Sequence, residues 1–112
     1  MGCLFCKIVK KEIPSTVVLE NAHVLAFKDL HPAAPTHVLV IPKEHLTGIH
    51  DATEKDATML GHLMVAGRDV AEQLGLGNGY RLVINNGPDA GQSVHHLHLH
   101  VLGGRPMAWP PG

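Results

Sequence analysis

"SVHHLHLHVLGG", residues 93–104, carries four of the chain's ten histidines within six positions, and imidazole alternates there with leucine. Side chains of a strand alternate between its two faces and rise about 3.3 Å per residue. The pattern therefore predicts a strand over 96–102 that places His96, His98 and His100 on one face. The opposite face is aliphatic and is predicted to enter a core with Leu97, Leu99 and Val101.

Three imidazoles on one face suit two chemistries. They can hold a metal ion, or they can surround an anionic group while one of them attacks it. The loop before the strand favours an anion. Its amide side chains offer hydrogen-bond donors, and its glycines let backbone N–H groups approach phosphate oxygens closely. The loop residues of this kind are Asn85, Asn86, Gly87, Gly91, Gln92 and Ser93.

Length and composition narrow the class of protein. The 112 residues fit one domain over 1–112, and 45% apolar with 17% charged residues is typical of a globular fold. A net charge of −1 leaves no broad basic field for a nucleic acid polymer. No apolar run approaches the roughly 20 residues of a membrane helix. The N-terminal segment turns basic too soon for a secretory signal, so we expect a cytoplasmic protein.

The remaining pattern predicts two helices and five strands. A short amphipathic helix is expected over 4–11 and a long one over 53–74, with Thr53 and Gly75 as its caps. One apolar stripe of the long helix should face the sheet: Leu60, Leu63, Met64, Gly67, Val70, Ala71 and Leu74. Strands are expected at 16–21 and 23–29 as a hairpin, then at 37–42, 80–85 and 96–102. This order predicts an α+β fold with a mainly antiparallel sheet of about five strands.

The histidine stretch also matches a family signature. In the histidine-triad (HIT) superfamily, histidine alternates with apolar residues as His-φ-His-φ-His-φ-φ, and residues 96–102 fit this pattern. The segments "KIVKKEIPS", "LAFKDLHPAAPTHVLVIPKEH", "GQSV" and "HVLGGRPMAWPPG" extend the resemblance to the Hint branch over nearly the whole chain. The chain thus resembles Hint proteins, and a HIT-like fold is implied.

The resemblance implies a reaction and its catalytic residues. Family members bind purine nucleoside monophosphate derivatives and break a bond at the α-phosphorus through a nucleotidyl-histidine intermediate. His98 matches the nucleophile, His37 and His100 match the groups beside it, and Ser93 matches a serine near the departing amine. An imidazole suits this role because its neutral form is nucleophilic near pH 7.

The resemblance also implies the nucleotide contacts. Asn85, Gly91 and Ser93, with the amide of Gln92 in the same loop, match the phosphate site, and Asp29 matches the carboxylate that accepts the ribose hydroxyls. The purine slot is implied to be apolar and formed by Leu4, Phe5, Ile8, Ile13 and Leu30.

Hint proteins prefer phosphoramidates such as adenosine monophosphate joined to lysine, so a phosphoramidase that needs no catalytic cofactor is the implied activity. Alternatives are a dinucleoside polyphosphate hydrolase, a nucleotide-sensing interaction module, and a metal-dependent hydrolase that uses the three triad histidines as ligands. The family forms homodimers, which implies the same here, with Trp109 near the contact or the partner's active site.

Cys3 and Cys6 form a C-x-x-C pair, which in a reducing compartment indicates a metal half-site or a redox pair. Some bacterial HIT proteins bind structural zinc with such a pair, the histidine of a "P-K-x-H" segment and the first triad histidine. The resemblance therefore implies zinc ligands at Cys3, Cys6, His45 and His96. Such a set leaves no open position on a tetrahedral ion, as in structural sites.

Overall fold

A computed structural model describes residues 2–112. The elements in chain order are α1 (Leu4–Val9), β1 (Val17–Glu20), β2 (Val24–Lys28), β3 (Thr36–Pro42), α2 (Ala57–Gln73), β4 (Tyr80–Val83) and β5 (Leu99–Gly103). The five strands form one sheet in the order β1-β2-β3-β5-β4, and every neighbouring pair is antiparallel. The predicted α+β fold, with one short and one long helix, is confirmed.

Both faces of the central strands are buried, which explains why β2 and β3 read as nearly continuous apolar runs. Alternate residues of these strands belong to two separate cores. The core under α2 contains Val24, Ala26, Val38, Val40, Leu97, Leu99 and Val101. The core under α1 contains Phe5, Ile8, Leu25, Phe27, Leu39 and Ile41. The short helix thus covers the sheet face opposite the long helix.

The long helix begins later than the sequence predicts. Thr53 caps a single 3-10 turn, Glu54–Asp56, through a capping box with Asp56, and α2 proper starts at Ala57. Its predicted stripe is wrong at Met64, which is 45% exposed, whereas Leu63 is fully buried. Gly67 lies where a Cβ atom would stand 2.8 Å from Leu99 Cδ2, so its small size allows the helix to approach the sheet.

The last strand is shorter than the pattern predicts. Regular pairing begins only at Leu99, and residues 94–98 lead into the strand without belonging to it. The alternation nevertheless persists through this stretch, because Leu97 lies in the core under α2 while His96 and His98 contact Phe5 of α1. The triad therefore faces the short helix.

The short helix ends at Val9, two residues before the predicted end. Lys11 adopts a left-handed conformation with φ 64°, which cannot continue the helix. At the other end, Cys3 caps the helix, and its Sγ accepts a hydrogen bond from the N–H of Cys6 at 3.2 Å. Within residues 2–112 no helix has the length and apolar character needed to cross a membrane.

Candidate active site and metal centre

A cavity of about 370 Å³ opens between α1, the end of β2 and the residues that lead into β5. Its volume lies within the range of small-molecule sites, about 300 to 1,000 Å³. All five residues predicted for the purine slot line it: Leu4, Phe5, Ile8, Ile13 and Leu30. Leu30 is 88% exposed, so a ligand in this cavity would cover an apolar side chain that the protein leaves in water.

Among the apolar wall residues that were not predicted, two lie on strands, Phe27 and Leu39. They are register partners on β2 and β3, and both lie on the sheet face that α1 covers. Assigning alternate strand residues to the two helices would have identified them. Lys28 and His31 also reach the cavity wall beside the predicted Asp29.

His98 lines the cavity and is held in one tautomer. Its Nδ1 lies 2.7 Å from the backbone oxygen of His96, so Nδ1–H donates to that carbonyl. The neutral ring then keeps its lone pair on Nε2. The edge of Phe5 packs against this ring with centroids 5.2 Å apart. A buried, oriented imidazole with one free lone pair is suited to nucleophilic attack.

A chain of hydrogen bonds determines the tautomers of His37 and His100. The N–H of Ala33 donates to His37 Nδ1 at 3.0 Å, which puts the proton of the neutral ring on Nε2. His37 Nε2 then donates to His100 Nδ1 at 2.9 Å. His100 consequently carries its proton on Nε2, which is buried and has no hydrogen-bond partner within the described residues. A spare donor is thus present in a ring that lines the cavity.

Burial keeps these two imidazoles neutral. It lowers the pKa of His100 to about 4, with His98 and then His37 adding to the effect. Burial likewise lowers the pKa of His37, although the carboxylate of Asp29 opposes the shift. Both rings therefore act as neutral hydrogen-bond groups near pH 7.

The carboxylate of Asp29 lines the cavity at the end of β2. Its Oδ1 accepts the N–H of His31 at 2.7 Å, and its Oδ2 lies 3.4 Å from His37 Nε2. These contacts fix the carboxylate at the cavity edge, and it can accept hydrogen bonds from hydroxyl groups.

The loop before the triad is only partly engaged with the cavity. Ser93 lines it, but Asn85, Gly91 and Gln92 do not. The Gln92 side chain accepts the N–H of Gly87 at 2.9 Å and donates to the carbonyls of Thr47 at 2.8 Å and Val94 at 3.1 Å. The Gly91 N–H is engaged with Pro88 O at 3.0 Å. In this structure, therefore, Gln92 braces the loop.

The four predicted metal ligands come together beside α1. Cys3 Sγ and Cys6 Sγ lie 3.3 and 3.6 Å from His96 Nδ1, and Cys6 Sγ lies 3.3 Å from His45 Nδ1. Zinc bonds of about 2.0 to 2.3 Å give ligand separations of about 3.3 to 3.8 Å in a tetrahedron. The sulfur–nitrogen distances fit this range, while the two Nδ1 atoms, 3.0 Å apart, are slightly closer.

The surroundings of this cluster also fit a cation. His96 Nε2 donates to the carbonyl of Pro42 at 2.9 Å, which leaves the lone pair of Nδ1 facing the thiols. A backbone carbonyl behind a ligating histidine is the usual arrangement in metal sites. Both cysteines are free of disulfide bonds. Burial and the Cys3 thiol raise the pKa of Cys6, and a bound cation would reverse this by stabilising the thiolate.

The triad itself does not form a metal site. His96 directs one nitrogen to the thiols and the other to Pro42, while His98 Nδ1 is taken by the His96 carbonyl. A second group, Asp29, His37 and His100, is compact enough for an ion. However, the hydrogen bond from the Ala33 N–H to His37 Nδ1 requires a proton on His37 Nε2. This proton would have to leave before Nε2 could bind a metal.

The other histidines lie outside both clusters. His95 stands directly before His96 and so interrupts the alternation of histidine with apolar residues, and its side chain is exposed. His23 and His62 stack against each other at 3.9 Å, and His50 bonds Asn86 Oδ1 at 2.8 Å. His95 is thus exposed, whereas the neighbouring His96 and His98 are buried.

Comparison with known proteins assigns the family. The HIT domain matches residues 10–107. The 14 kDa zinc-binding protein of Zea mays is 57% identical over 111 residues, which cover 97% of this chain and 87% of that protein. Adenylylsulfatase HINT1 of Arabidopsis thaliana is 52% identical, over 97% of this chain and 76% of that protein.

A solved structure agrees with these relatives. The HIT family hydrolase from Legionella pneumophila Philadelphia 1 superposes with a TM-score of 0.97 at 50% identity, covering 99% of this chain and 100% of that one. The chain therefore belongs to the HIT domain family, in the Hint branch of its hydrolases.

Proposed function

We propose that this protein hydrolyses the P–N bond of purine nucleoside 5'-monophosphoramidates through a covalent nucleotidyl intermediate on His98. The observation that carries the proposal is the 2.7 Å hydrogen bond from His98 Nδ1 to the His96 carbonyl, which leaves Nε2 as the reactive atom in a nucleoside-sized cavity. The relatives, which include a HIT family hydrolase and an adenylylsulfatase, support a hydrolase.

The cavity has an apolar wall and a polar wall, and each binds a different part of the substrate. The purine lies between the apolar residues of α1 and Leu30, where it removes apolar surface from water. The ribose hydroxyls donate to the carboxylate of Asp29, and the α-phosphate comes to rest between Ser93 and the triad. Within this arrangement, Asn85, Gly91 and Gln92 shape the phosphate loop, and contact by Asn85 or the Gly91 backbone requires the loop to adjust when the nucleotide binds.

The reaction has two displacement steps at the α-phosphorus. The Nε2 lone pair of His98 forms a bond to phosphorus, and the P–N bond breaks with its electron pair on the amine, which takes one proton from solvent through the Ser93 hydroxyl. Water then adds to phosphorus and releases one proton to solvent, the bond to His98 breaks, and its electron pair returns to Nε2. The Nε2–H of His100 donates to the phosphoryl oxygens as their charge develops.

The leaving group in a second proposed reaction is sulfate in place of an amine. Because an Arabidopsis thaliana relative is called an adenylylsulfatase, we propose adenosine 5'-phosphosulfate as a second substrate. Sulfate leaves as a stable anion and needs no proton, whereas an amine does. The Ser93 hydroxyl, which lines the cavity, is placed to serve the amine. Dinucleoside polyphosphates and nucleotide sensing without turnover remain the alternatives to compare.

Structural zinc is part of the proposal. Cys3, Cys6, His45 and His96 would hold it as a closed ligand set, and it would supply attachment of α1 to the sheet with no open position for chemistry. No catalytic cofactor takes part in either displacement step. Because the ligand thiols must stay reduced, we place the protein in the cytoplasm.

We also propose a homodimer. Met64 and Val65 on α2, Tyr80 on β4 and the C-terminal Trp109 are large apolar side chains that are 40% to 81% exposed. Within the described chain, β4 is an edge strand paired only with β5. A second copy would cover this apolar surface and pair the edge. Val65→Asp should give monomers in sedimentation equilibrium, and Val17→Asp, at a similarly exposed valine on β1, should not.

The test of the activity compares His98→Asn with His95→Asn on a fluorogenic adenosine phosphoramidate. The first change removes the proposed nucleophile, and the second alters an exposed neighbour in the same stretch. Loss of turnover in His98→Asn alone, with adenosine monophosphate still bound, supports the proposal. Full turnover by His98→Asn refutes it, and binding without turnover by the unmodified protein favours a sensing module.

A further inference from the structure

The short helix α1 belongs to two sites at once. Its N-terminal turn carries Cys3 and Cys6 of the metal cluster. The helix residues Leu4, Phe5 and Ile8 form one wall of the nucleoside cavity. A helix of six residues is too short to be stable by itself in water, so its position depends on what holds its two sides.

Phe5 connects the two sites physically. Its ring packs edge-on against His96 of the metal cluster, with centroids 5.9 Å apart, and against His98 at 5.2 Å. It also contacts Phe27 on the cavity wall at 5.6 Å. The ring is 4% exposed, so it cannot move without disturbing these neighbours.

His96 makes a second connection through its backbone. Its side chain is anchored at Nδ1 by the thiols and at Nε2 by Pro42. Its own carbonyl oxygen holds the Nδ1–H of His98. Fixing the His96 side chain therefore also fixes the group that orients the proposed nucleophile.

We infer that Cys3, Cys6 and His45 are positioning residues of the nucleotide site, and that metal binding and nucleotide binding strengthen each other through α1. The inference rests on the proposed function, because it requires that the cavity take a nucleoside monophosphate. Coupling of this kind is reciprocal: if the metal tightens nucleotide binding, the nucleotide must tighten metal binding by the same factor. Typical couplings between two sites are about 5- to 150-fold.

Zinc release provides a readout that does not depend on turnover. Zinc-loaded protein is mixed with an excess of a chromogenic chelator at fixed pH, with and without saturating adenosine monophosphate. We expect the nucleotide to slow zinc transfer at least fivefold. Adenosine should also slow it, because it carries the base, which is the part that lies against α1. Ribose 5-phosphate lacks the base and should leave the rate unchanged, which also controls for chelation of zinc by phosphate.

Two cavity variants locate the coupling. Leu30→Ala changes a wall residue outside α1, so it should weaken binding of adenosine monophosphate while leaving the slowing at saturation intact. Phe5→Leu keeps an apolar side chain but loses the ring contacts to His96 and His98, so it should reduce the slowing at saturation to less than twofold.

The possible failures are distinguishable. If calorimetry shows that adenosine monophosphate binds, while both the zinc transfer rate and the zinc affinity in equilibrium competition with the chelator are unchanged, the coupling is refuted and the proposed function stands. If the nucleotide does not bind the zinc-loaded protein, both are refuted. If slowing in Phe5→Leu equals that of the unmodified protein, Phe5 does not carry the coupling, and the inference of a connection through α1 fails.

Discussion

Replacing His37 tests whether the hydrogen-bond chain from Ala33 through His37 to His100 contributes to catalysis at the proposed nucleophile. His37 does not line the cavity, yet its Nε2 donates to His100 Nδ1 at 2.9 Å. His37→Phe removes the donor and leaves a buried acceptor on His100. The ring of His100 is then free to carry its proton on either nitrogen, so the donor at Nε2 is no longer assured.

The size of the effect follows from the free energy by which His37 holds the proton of His100 on Nε2, where the transition state needs a donor; its upper limit is the cost of leaving Nδ1 unpaired. Leaving a buried polar group unsatisfied costs about 1 to 3 kcal/mol. At about 1.4 kcal/mol per factor of ten, this corresponds to a loss of roughly 5- to 150-fold in kcat. The dissociation constant for adenosine monophosphate should change less than threefold, because His37 touches none of the cavity.

The assay compares kcat on an adenosine phosphoramidate with nucleotide binding by calorimetry for His37→Phe, His37→Gln and the exposed control His95→Gln. His37→Gln offers an amide donor and should recover part of the loss. Unchanged kcat in His37→Phe, or a loss confined to nucleotide binding, would refute the reasoning. Equal losses in His37→Phe and His95→Gln would do so as well.

Three further outcomes are expected. Because the pKa of His100 falls from 6.5 to about 4 on folding, the unfolded chain takes up a proton first, so the free energy of unfolding should fall by at most about 3 kcal/mol as pH drops from 6.5 to 4. Denaturant titrations of His100→Gln should lack this part. Gln92→Met removes three hydrogen bonds from the loop and should lower the free energy of unfolding by about 2 kcal/mol. It should also weaken the binding of adenosine monophosphate more than the binding of adenosine. Gln73→Met, which loses one exposed hydrogen bond, is the control. Ser93→Ala should slow turnover of a phosphoramidate at least tenfold more than turnover of adenosine 5'-phosphosulfate, since sulfate needs no proton to leave; equal losses on both substrates would contradict the proposed role of this hydroxyl.

The fold was predictable from the sequence because the spacing of its apolar residues distinguishes helices from strands. Strand segments such as 37–42 are apolar throughout, and this predicts a central strand, which β3 is. The beginning of β5 was not predictable, since residues 96–98 continue the alternating pattern without pairing in the sheet. Alternation describes where side chains face, whereas pairing depends on the neighbouring strand.

The site was predictable where the family resemblance connected residues that are distant in the chain. The four predicted metal ligands come from three separate parts of the chain, and only that resemblance connected His45 to the cysteines, which the structure brings together. Gln92 shows the opposite case. Its amide is chemically suited to phosphate, but the loop carbonyl groups of Thr47 and Val94 take its donors. Competition of this kind depends on tertiary contacts that the local sequence does not contain.

The central claim is that His98 Nε2 bonds to the nucleotide during each turnover. Stopping the reaction of excess adenosine phosphoramidate within one turnover, under alkaline denaturing conditions that spare a phosphoramidate bond, should leave an adenylyl group on the peptide that contains His98. Mass spectrometry should locate it on that side chain, and the adduct should form and decay at rates that account for kcat. Turnover at the full rate with no adduct, or an adduct on His96 or His100 in its place, would contradict the account.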